Sequence, residues 1–262
     1  MTQALAGRTA LVTGADRGIG AGIANLLDQQ GVRVCRNVMA NPEVPDTGGE
    51  KSRNLIIQAD LRDPNQVQRM FGKIKQEFGG LDLLINNAGV ESIIPAIDLT
   101  AEEWDRVFNT NLRGAFLCSQ AAARLMKAKP SGGVIINIAS IHDQIPRLGT
   151  AHYCASKAGL QMLAMCMAWE WGPLGVRTNV VQPGWIETGL NRKYLSDPEV
   201  RERVASTIPL RRTGLPDDVA PAVLWLCSDD AAYVNGATLQ VDGGLLAGRP
   251  TAVSRRFEWA RR

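Results

Sequence analysis

Seven apolar, β-prone runs alternate with helical patterns along this 262-residue chain. The strand-like runs fall near 9–13, 32–38, 54–59, 81–86, 133–139, 176–182 and 238–241. Helical patterns lie near 18–30, 64–78, 101–127, 152–171, 188–206 and 217–227. Strands alternating with helices favour a parallel sheet with helices on both faces. Val134 to Ile138 is apolar without alternation, as burial on both faces requires. The expectation is therefore one α/β domain, a doubly wound parallel sheet of seven strands flanked by helices. No repeat or linker divides it, so residues 1–248 read as the domain and 249–262 as a tail. Ligands in such sheets bind beyond the carboxyl ends of the strands.

The chemistry-bearing residues cluster at those ends. Thr13-Gly14-Ala15-Asp16-Arg17-Gly18-Ile19-Gly20 follows the first run and opens an amphipathic stretch through Leu27. Glycines there permit a tight turn, and the helix N-terminus offers unpaired N–H groups to an anion such as a pyrophosphate. The three residues between the first two glycines depart from the commoner G-x-G-x-x-G spacing. Asn86-Asn87-Ala88-Gly89 ends the fourth run, and its small residues suit a cofactor lying close over the sheet edge; a plain turn is the other reading. Ser140 ends the fifth run, 13 residues before Tyr153. Asn111 falls inside the 101–127 pattern, where Asn is a poor helix former, so it reads as a kink stabiliser or an exposed residue.

Tyr153 and Lys157 stand four residues apart, on one face of a helix. A free phenol ionises near pH ~10, too high for a base in neutral water. A lysine charge ~5 Å away, at an effective dielectric of ~20, favours the phenolate by about 3 kcal/mol, or roughly 2 pK units. The expectation is a tyrosine lowered into the range where it trades a proton with a substrate hydroxyl.

Composition bounds the rest. At 45% hydrophobic residues, the chain suffices for one sizeable core. No segment reaches the ~18 apolar residues of a membrane span. No basic region followed by a long apolar stretch marks a secretory signal. Cys35, Cys118, Cys154, Cys166 and Cys227 are scattered without a Cys-x-x-Cys, as expected of reduced cytoplasmic thiols. Residues 249–262 carry +4 of the +3 net charge, leaving a body near −1. A near-neutral body with a basic tail does not make a nucleic-acid binder. No metal-ligand cluster is expected. Phe257 and Trp259 give the tail a possible anchor on a neighbouring subunit, disorder being the other reading.

Thr13-Gly14-x3-Gly18-Ile19-Gly20, Asp60-Leu61, Asn86-Asn87-Ala88-Gly89, Asn111, Ser140, Tyr153-x3-Lys157, Pro183-Gly184 with Thr188, and Asp242-Gly243-Gly244 together resemble the short-chain dehydrogenase/reductase family. The resemblance spans residues 7–246 and implies a Rossmann-type fold and NAD(P)(H)-dependent interconversion of a secondary alcohol, or a sugar hemiacetal, and a carbonyl. It implies Tyr153 as general acid/base, Lys157 as holder of the nicotinamide ribose, Ser140 as donor to the substrate oxygen, and Asn111 on a water path to Lys157. It assigns cofactor contacts to Gly14, Asp16, Arg17, Gly18, Ile19, Gly20, Asp60, Leu61, Asn87, Ala88, Gly89, Tyr153, Lys157, Pro183, Gly184, Ile186 and Thr188. It makes residues 185–212 a lid, and the assembly a homotetramer built on two long helices, with Met162, Met165, Trp169 and Trp171 on an apolar face.

NAD-specific members carry Asp where this chain has Val38, and Arg17 can face a 2′-phosphate; NADP(H) is favoured over NAD(H). Arg36 shares that strand, on a face the sequence leaves open. Ser140-Ile141-His142-Asp143, His152 before the tyrosine, Glu91, and Tyr194 to Glu199 look like the glucose 1-dehydrogenase branch. Glu91 and His142 are then substrate contacts for an aldose. Asp143 in place of glutamate and Arg147 in place of an aromatic residue depart from that branch. Arg147 instead suits a 3-oxoacyl thioester, as in the 3-oxoacyl reductases, or is a solvated loop residue. A catalytically silent nucleotide-binding regulator is the reading from another class, but it needs no Ser140, Tyr153 and Lys157 together.

Overall fold

The computed structural model describes residues 5–39, 54–189 and 192–248. Seven strands form one all-parallel sheet: β1 (Thr9–Val12), β2 (Arg33–Val38), β3 (Leu55–Gln58), β4 (Leu83–Asn86), β5 (Gly133–Ile138), β6 (Val176–Pro183) and β7 (Thr238–Val241). Their order is β3-β2-β1-β4-β5-β6-β7. The chain winds outward from β1 in one direction, then returns to the other side of β1. The switch point lies between β1 and β4, whose register pairs Ala10 with Leu83 and Val12 with Ile85.

Every residue of β1, β4 and β5 is buried. Their apolar runs divide by strand alternation between two layers. Ala10, Val12, Leu83, Ile85, Val134 and Ile136 face the layer packed by α1 (Gly18–Gln29) and α8 (Pro216–Cys227). Leu11, Leu84 and Ile135 face the layer packed by α2 (Pro64–Phe78) and, later in the chain, by Cys118 and Met126.

The expected helix over 101–127 is divided. Thr100 caps α3 (Ala101–Phe108) by accepting from Glu103 N at 3.3 Å. Asn109–Gly114 then winds as a π-helical segment before α4 (Ala115–Met126). Such widened turns commonly mark functional positions. Asn111 is 1% exposed within it, so the reading as a solvent-exposed residue does not hold. The next helix, α5 (Ala151–Trp171), runs unbroken for 21 residues.

The expected helix over 188–206 is likewise two: α6 (Arg192–Leu195) and α7 (Pro198–Thr207). Asp197 accepts from Glu199 N at 2.9 Å and Pro198 occupies the first helical position. A proline lacks the N–H needed to continue a helix but suits the start of one. Residues 249–262 lie outside the described residues, as do Asn41 to Arg53, and the tail reading rests on the sequence alone.

Gly20 makes α1 possible in its place. A Cβ there would sit 2.3 Å from Gly14 O and 2.4 Å from Asn87 Nδ2. Gly20→Ala is expected to lower stability by about 1–3 kcal/mol, the scale of overpacking. Urea unfolding checks this.

Candidate active site

Thr13, at the end of β1, ties the two sides of the switch point. Its hydroxyl accepts from Asn87 N and Ala88 N, each at 3.0 Å. Asn87 Nδ2 in turn donates to Thr13 O at 2.9 Å and Gly14 O at 3.0 Å. The turn after β4 is thereby held against the glycine turn after β1. Gly14 takes φ +60, and a Cβ there would meet Ala88 Cα at 2.9 Å.

Above this junction α1 begins with no side-chain cap and no acid in its first turn. Among the described residues no side chain caps its leading N–H groups, which fits an anion such as the pyrophosphate of a dinucleotide. Gly18 faces Thr188, whose Cγ2 would lie 3.3 Å from an added Cβ. Arg17 is largely exposed, with its Nε 3.7 Å from Asp16. Ile19 packs on the core beneath the turn. β2 ends in buried Val38. Arg36 is engaged elsewhere: it is buried and donates to Asn25 Oδ1 on α1 at 2.8 Å. Asp60 follows β3 and is gripped by Arg62 at 2.6 Å, which holds the carboxyl below its usual range. Leu61 beside it is buried. Pro183 closes β6, Gly184 N donates to Val241 O at 3.0 Å, and Ile186 bridges to Gly214.

The second group sits at the ends of β4 and β5. Lys157 is buried on α5, and its Nζ donates to Ile138 O at 2.8 Å. A Cβ on Gly89 would lie 3.4 Å from that Nζ and 3.5 Å from Asn111 Oδ1. Asn111 Nδ2 donates to Val90 O at 2.9 Å and Ser156 Oγ at 3.1 Å, while its Oδ1 accepts from Val90 N at 2.8 Å. The mid-helix Asn thus fastens the turn after β4 to α5. Ser140 starts the 3₁₀ turn Ile141–Asp143, and its hydroxyl accepts from His142 N at 3.2 Å.

The electrostatics correct one expectation. Tyr153 is not lowered: burial pushes its phenol up to about 12, with hydrogen bonding to Ser140 opposing the rise. Lys157 Nζ lies 5.8 Å from the tyrosine ring centroid, directed at the β5 carbonyl instead of the phenol oxygen. Burial also pushes Lys157 down to about 8. Desolvation disfavours the charged form of both groups and is the largest cause of each shift. The phenol of the ligand-free protein is therefore protonated at neutral pH.

Of the two residues read as substrate contacts, Glu91 lies within electrostatic reach of Tyr153, and both Glu91 and His142 lie within reach of Arg147. Glu91 Oε2 accepts from Arg147 Nη1 at 3.0 Å, so Arg147 is ion-paired and not simply solvated. The guanidinium also lies 5.9 Å from the centroid of Trp185, which stacks on Tyr194 of α6 at 6.4 Å. His142 Nδ1 is 3.2 Å from Ile145 O, and burial lowers its pKa. Cys154 packs with its sulfur 3.4 Å from Thr150 Oγ1. Asp143 carried no signal beyond its position. Its carboxyl accepts from Gln182 Nε2, its other oxygen is buried without a partner among the described residues, and burial raises its pKa to about 6. The Thr13 clasp was also missed, since a hydroxyl at a strand end is common.

A family model described as enoyl-(acyl carrier protein) reductase matches residues 14–246. The chain belongs to the short-chain dehydrogenase/reductase family. It is, with that family, an NAD(P)-dependent oxidoreductase acting on CH–OH donors. It is 38% identical over 254 residues to 3beta-hydroxysteroid dehydrogenase 1 of Eggerthella lenta, covering 94% of this chain and 96% of the relative. It is 39% identical to L-rhamnose 1-dehydrogenase (NAD(P)(+)) of Azotobacter vinelandii, covering 91% and 96%. With glucose 1-dehydrogenase 2 of Bacillus subtilis it shares 34%, over 94% and 97%. The ligand-free aldohexose dehydrogenase of Thermoplasma acidophilum superposes with a TM-score of 0.88 at 31% identity, over 96% of this chain and 99% of that one. No helix among the described residues is long and apolar enough to cross a membrane.

Asn111 offers a check on this short-chain dehydrogenase/reductase architecture. Asn111→Leu strands Val90 N, Val90 O and Ser156, and is expected to cost about 2–3 kcal/mol. Urea denaturation of the two proteins measures it.

Proposed function

We propose that this chain interconverts a hydroxyl of a polyhydroxylated substrate, with an aldose as the leading candidate, and the corresponding carbonyl. The observation that carries the reaction is the convergence of Ser140, Tyr153 and Lys157 beside the capless start of α1, across the Thr13–Asn87 clasp. When bound, the nicotinamide supplies the hydride chemistry. Tyr153 is the general acid/base at the substrate oxygen. Ser140 Oγ donates to that oxygen as its charge develops. Lys157 holds the ribose and, once its cation swings from the β5 carbonyl toward the phenol, favours the phenolate. Asn111 holds the turn after β4 and a water path to Lys157. A silent nucleotide sensor would leave this set without a use.

The sugar reading is supported by the Glu91–Arg147 pair near Tyr153 and by His142 near that pair, which offer acceptors and donors to several hydroxyls. Rhamnose, glucose and aldohexose dehydrogenases among the similar proteins point the same way. Reduction of a 3-oxoacyl thioester or a small ketone is the second reading; the matching family model shares with it only an acyl-carrier substrate, since an enoyl reductase acts on a C=C bond and not on a carbonyl. Against it, Arg147 is already neutralised by Glu91. NADP(H) is favoured over NAD(H) because β2 ends in Val38, with no acid to hold a ribose diol, and Arg17 is exposed beside the turn. The assembly is proposed as a homotetramer. Met162, Met165 and Trp169 are exposed along α5, and a groove of about 450 Å³ lies between Phe116 and Leu163. Trp171 packs into the core and does not belong to that face. A cytoplasmic location remains part of the proposal.

Absorbance at the reduced-nicotinamide band tests the reading, with NADP⁺ and NAD⁺ run separately against aldoses, and NADPH against ketones and 3-oxoacyl thioesters. Aldose turnover with a lower KM for NADP⁺ is expected; turnover of ketones or thioesters alone removes the sugar assignment. Tyr153→Phe is expected to lose at least ~100-fold in kcat, and near-normal turnover would sink its role.

A pH profile follows from Lys157. Its folded pKa, near 8, lies below the ordinary lysine value, so its charge is present below that pH and lost above it. Carbonyl reduction uses protonated Tyr153 and cationic Lys157. Its kcat/KM is expected to fall as pH rises through about 8.

A further inference from the structure

His152 stands one residue before Tyr153, is 0% exposed, and is not used in the chemistry above. Its Nε2 lies 2.8 Å from Ser92 Oγ. Ser92 Oγ donates to Glu103 Oε1 at 2.5 Å. Arg106 grips both oxygens of Glu103 at 2.7 Å, and these bonds, with that of Ser92, push the carboxyl down to about 2. A carboxylate only accepts, and a hydroxyl has one proton. Ser92 gives its proton to Glu103 and must therefore accept from His152. The network assigns the Nε2–H tautomer. The other ring nitrogen, Nδ1, is enclosed and has no partner among the described residues. Among those residues the bond to Ser92 is the ring's single polar attachment.

That attachment fastens the loop bearing Glu91. Val90 is held at both backbone atoms by Asn111. Arg106 Nη2 donates to Glu91 O at 3.4 Å. Ile94 N donates to Gly149 O at 2.8 Å, beside the loop that carries Arg147. Ser92 is where this loop meets the first turn of α5, and so one of the ties that set its distance from Tyr153.

We infer that His152 is a positioning residue for substrate specificity: through Ser92 and Glu103 it fixes the Glu91 loop against the helix that presents Tyr153. The inference rests on the proposed place of Glu91 in the substrate wall. His152 touches neither substrate nor cofactor. Its loss should loosen substrate binding without slowing the bound complex or weakening the dinucleotide.

The test compares His152→Phe, His152→Gln, Ser92→Ala and Glu91→Gln with wild type, on an alcohol that wild type oxidises. Gln presents an amide N–H near the position of Nε2, whereas Phe fills the space without a donor. His152→Phe and Ser92→Ala are expected to raise KM for the alcohol about tenfold, the scale of one buried hydrogen bond. Their kcat and KM for the nicotinamide should stay within about twofold, with Gln restoring the alcohol KM to a similar margin. Hydrogen–deuterium exchange of residues 90–95, which needs no substrate, should rise in His152→Phe and Ser92→Ala and return toward wild type in His152→Gln. An unchanged KM and exchange in both loss variants overturns the inference, as does a parallel collapse of kcat and cofactor binding in a folded protein. If Glu91→Gln leaves KM unchanged, the place of Glu91 in the substrate wall fails and the specificity role falls with it, whereas a rise in exchange in His152→Phe would still show that His152 fastens the loop. A KM raised by Glu91→Gln and unchanged by His152→Phe removes the positioning role alone.

Discussion

The hydroxyl of Thr13 accepting from two successive backbone N–H groups after β4 is the interaction on which the site depends. A parallel sheet that reverses direction leaves a crevice between the two strands at the switch. Left open, the crevice would expose the ends of β1 and β4 and the amides beyond them. The Thr13 hydroxyl and the Asn87 side chain close its floor from opposite sides. The same contacts bring Gly14 against Ala88 so closely that no side chain fits between them. A flat, narrow floor beside the start of α1 follows from that approach.

Burial then sets the chemistry. Tyr153 and Lys157 are each pushed toward neutrality, in opposite directions, by the same loss of water. A lysine near 8 and a phenol near 12 hold one proton each at neutral pH in the ligand-free protein. The attraction that would favour a phenolate requires Lys157 to leave the Ile138 carbonyl. Simple Coulomb reasoning from sequence spacing gave the wrong sign for the Tyr153 shift, because it carried no desolvation term. Around this pair the Glu91–Arg147 bridge, His142 and Asp143 place further polar groups, each held by a named partner.

Much of this architecture is written in local patterns. The alternation of apolar runs and helical stretches gave all seven strands, since burial on both faces leaves β1, β4 and β5 almost wholly apolar, with Thr9, Asn86 and Asn137 the polar exceptions. The glycine turn, Asn87, Ser140, Tyr153 and Lys157 stood out because their spacing follows strand ends and helix periodicity. What stayed hidden depends on contacts distant in the chain. The π-helical turn at Asn109–Gly114 is shaped by the demand of Val90 for a partner 21 residues away. The face of Arg36 is decided by Asn25 on α1. The pairing of Glu91 with Arg147, 56 residues on, has no trace in either local sequence. The division of 188–206 into two helices at Pro198 requires weighing the Asp197 cap against the longer pattern.

The most direct test of the account is the affinity for the reduced dinucleotide, read by fluorescence titration, in wild type and Thr13→Val. Valine keeps the shape of threonine and removes the acceptor that serves Asn87 and Ala88. If the clasp builds the cofactor floor, the dissociation constant for NADPH should rise at least about tenfold in a protein that keeps its circular dichroism, the scale of two deprived backbone donors. An unchanged dissociation constant would contradict the account.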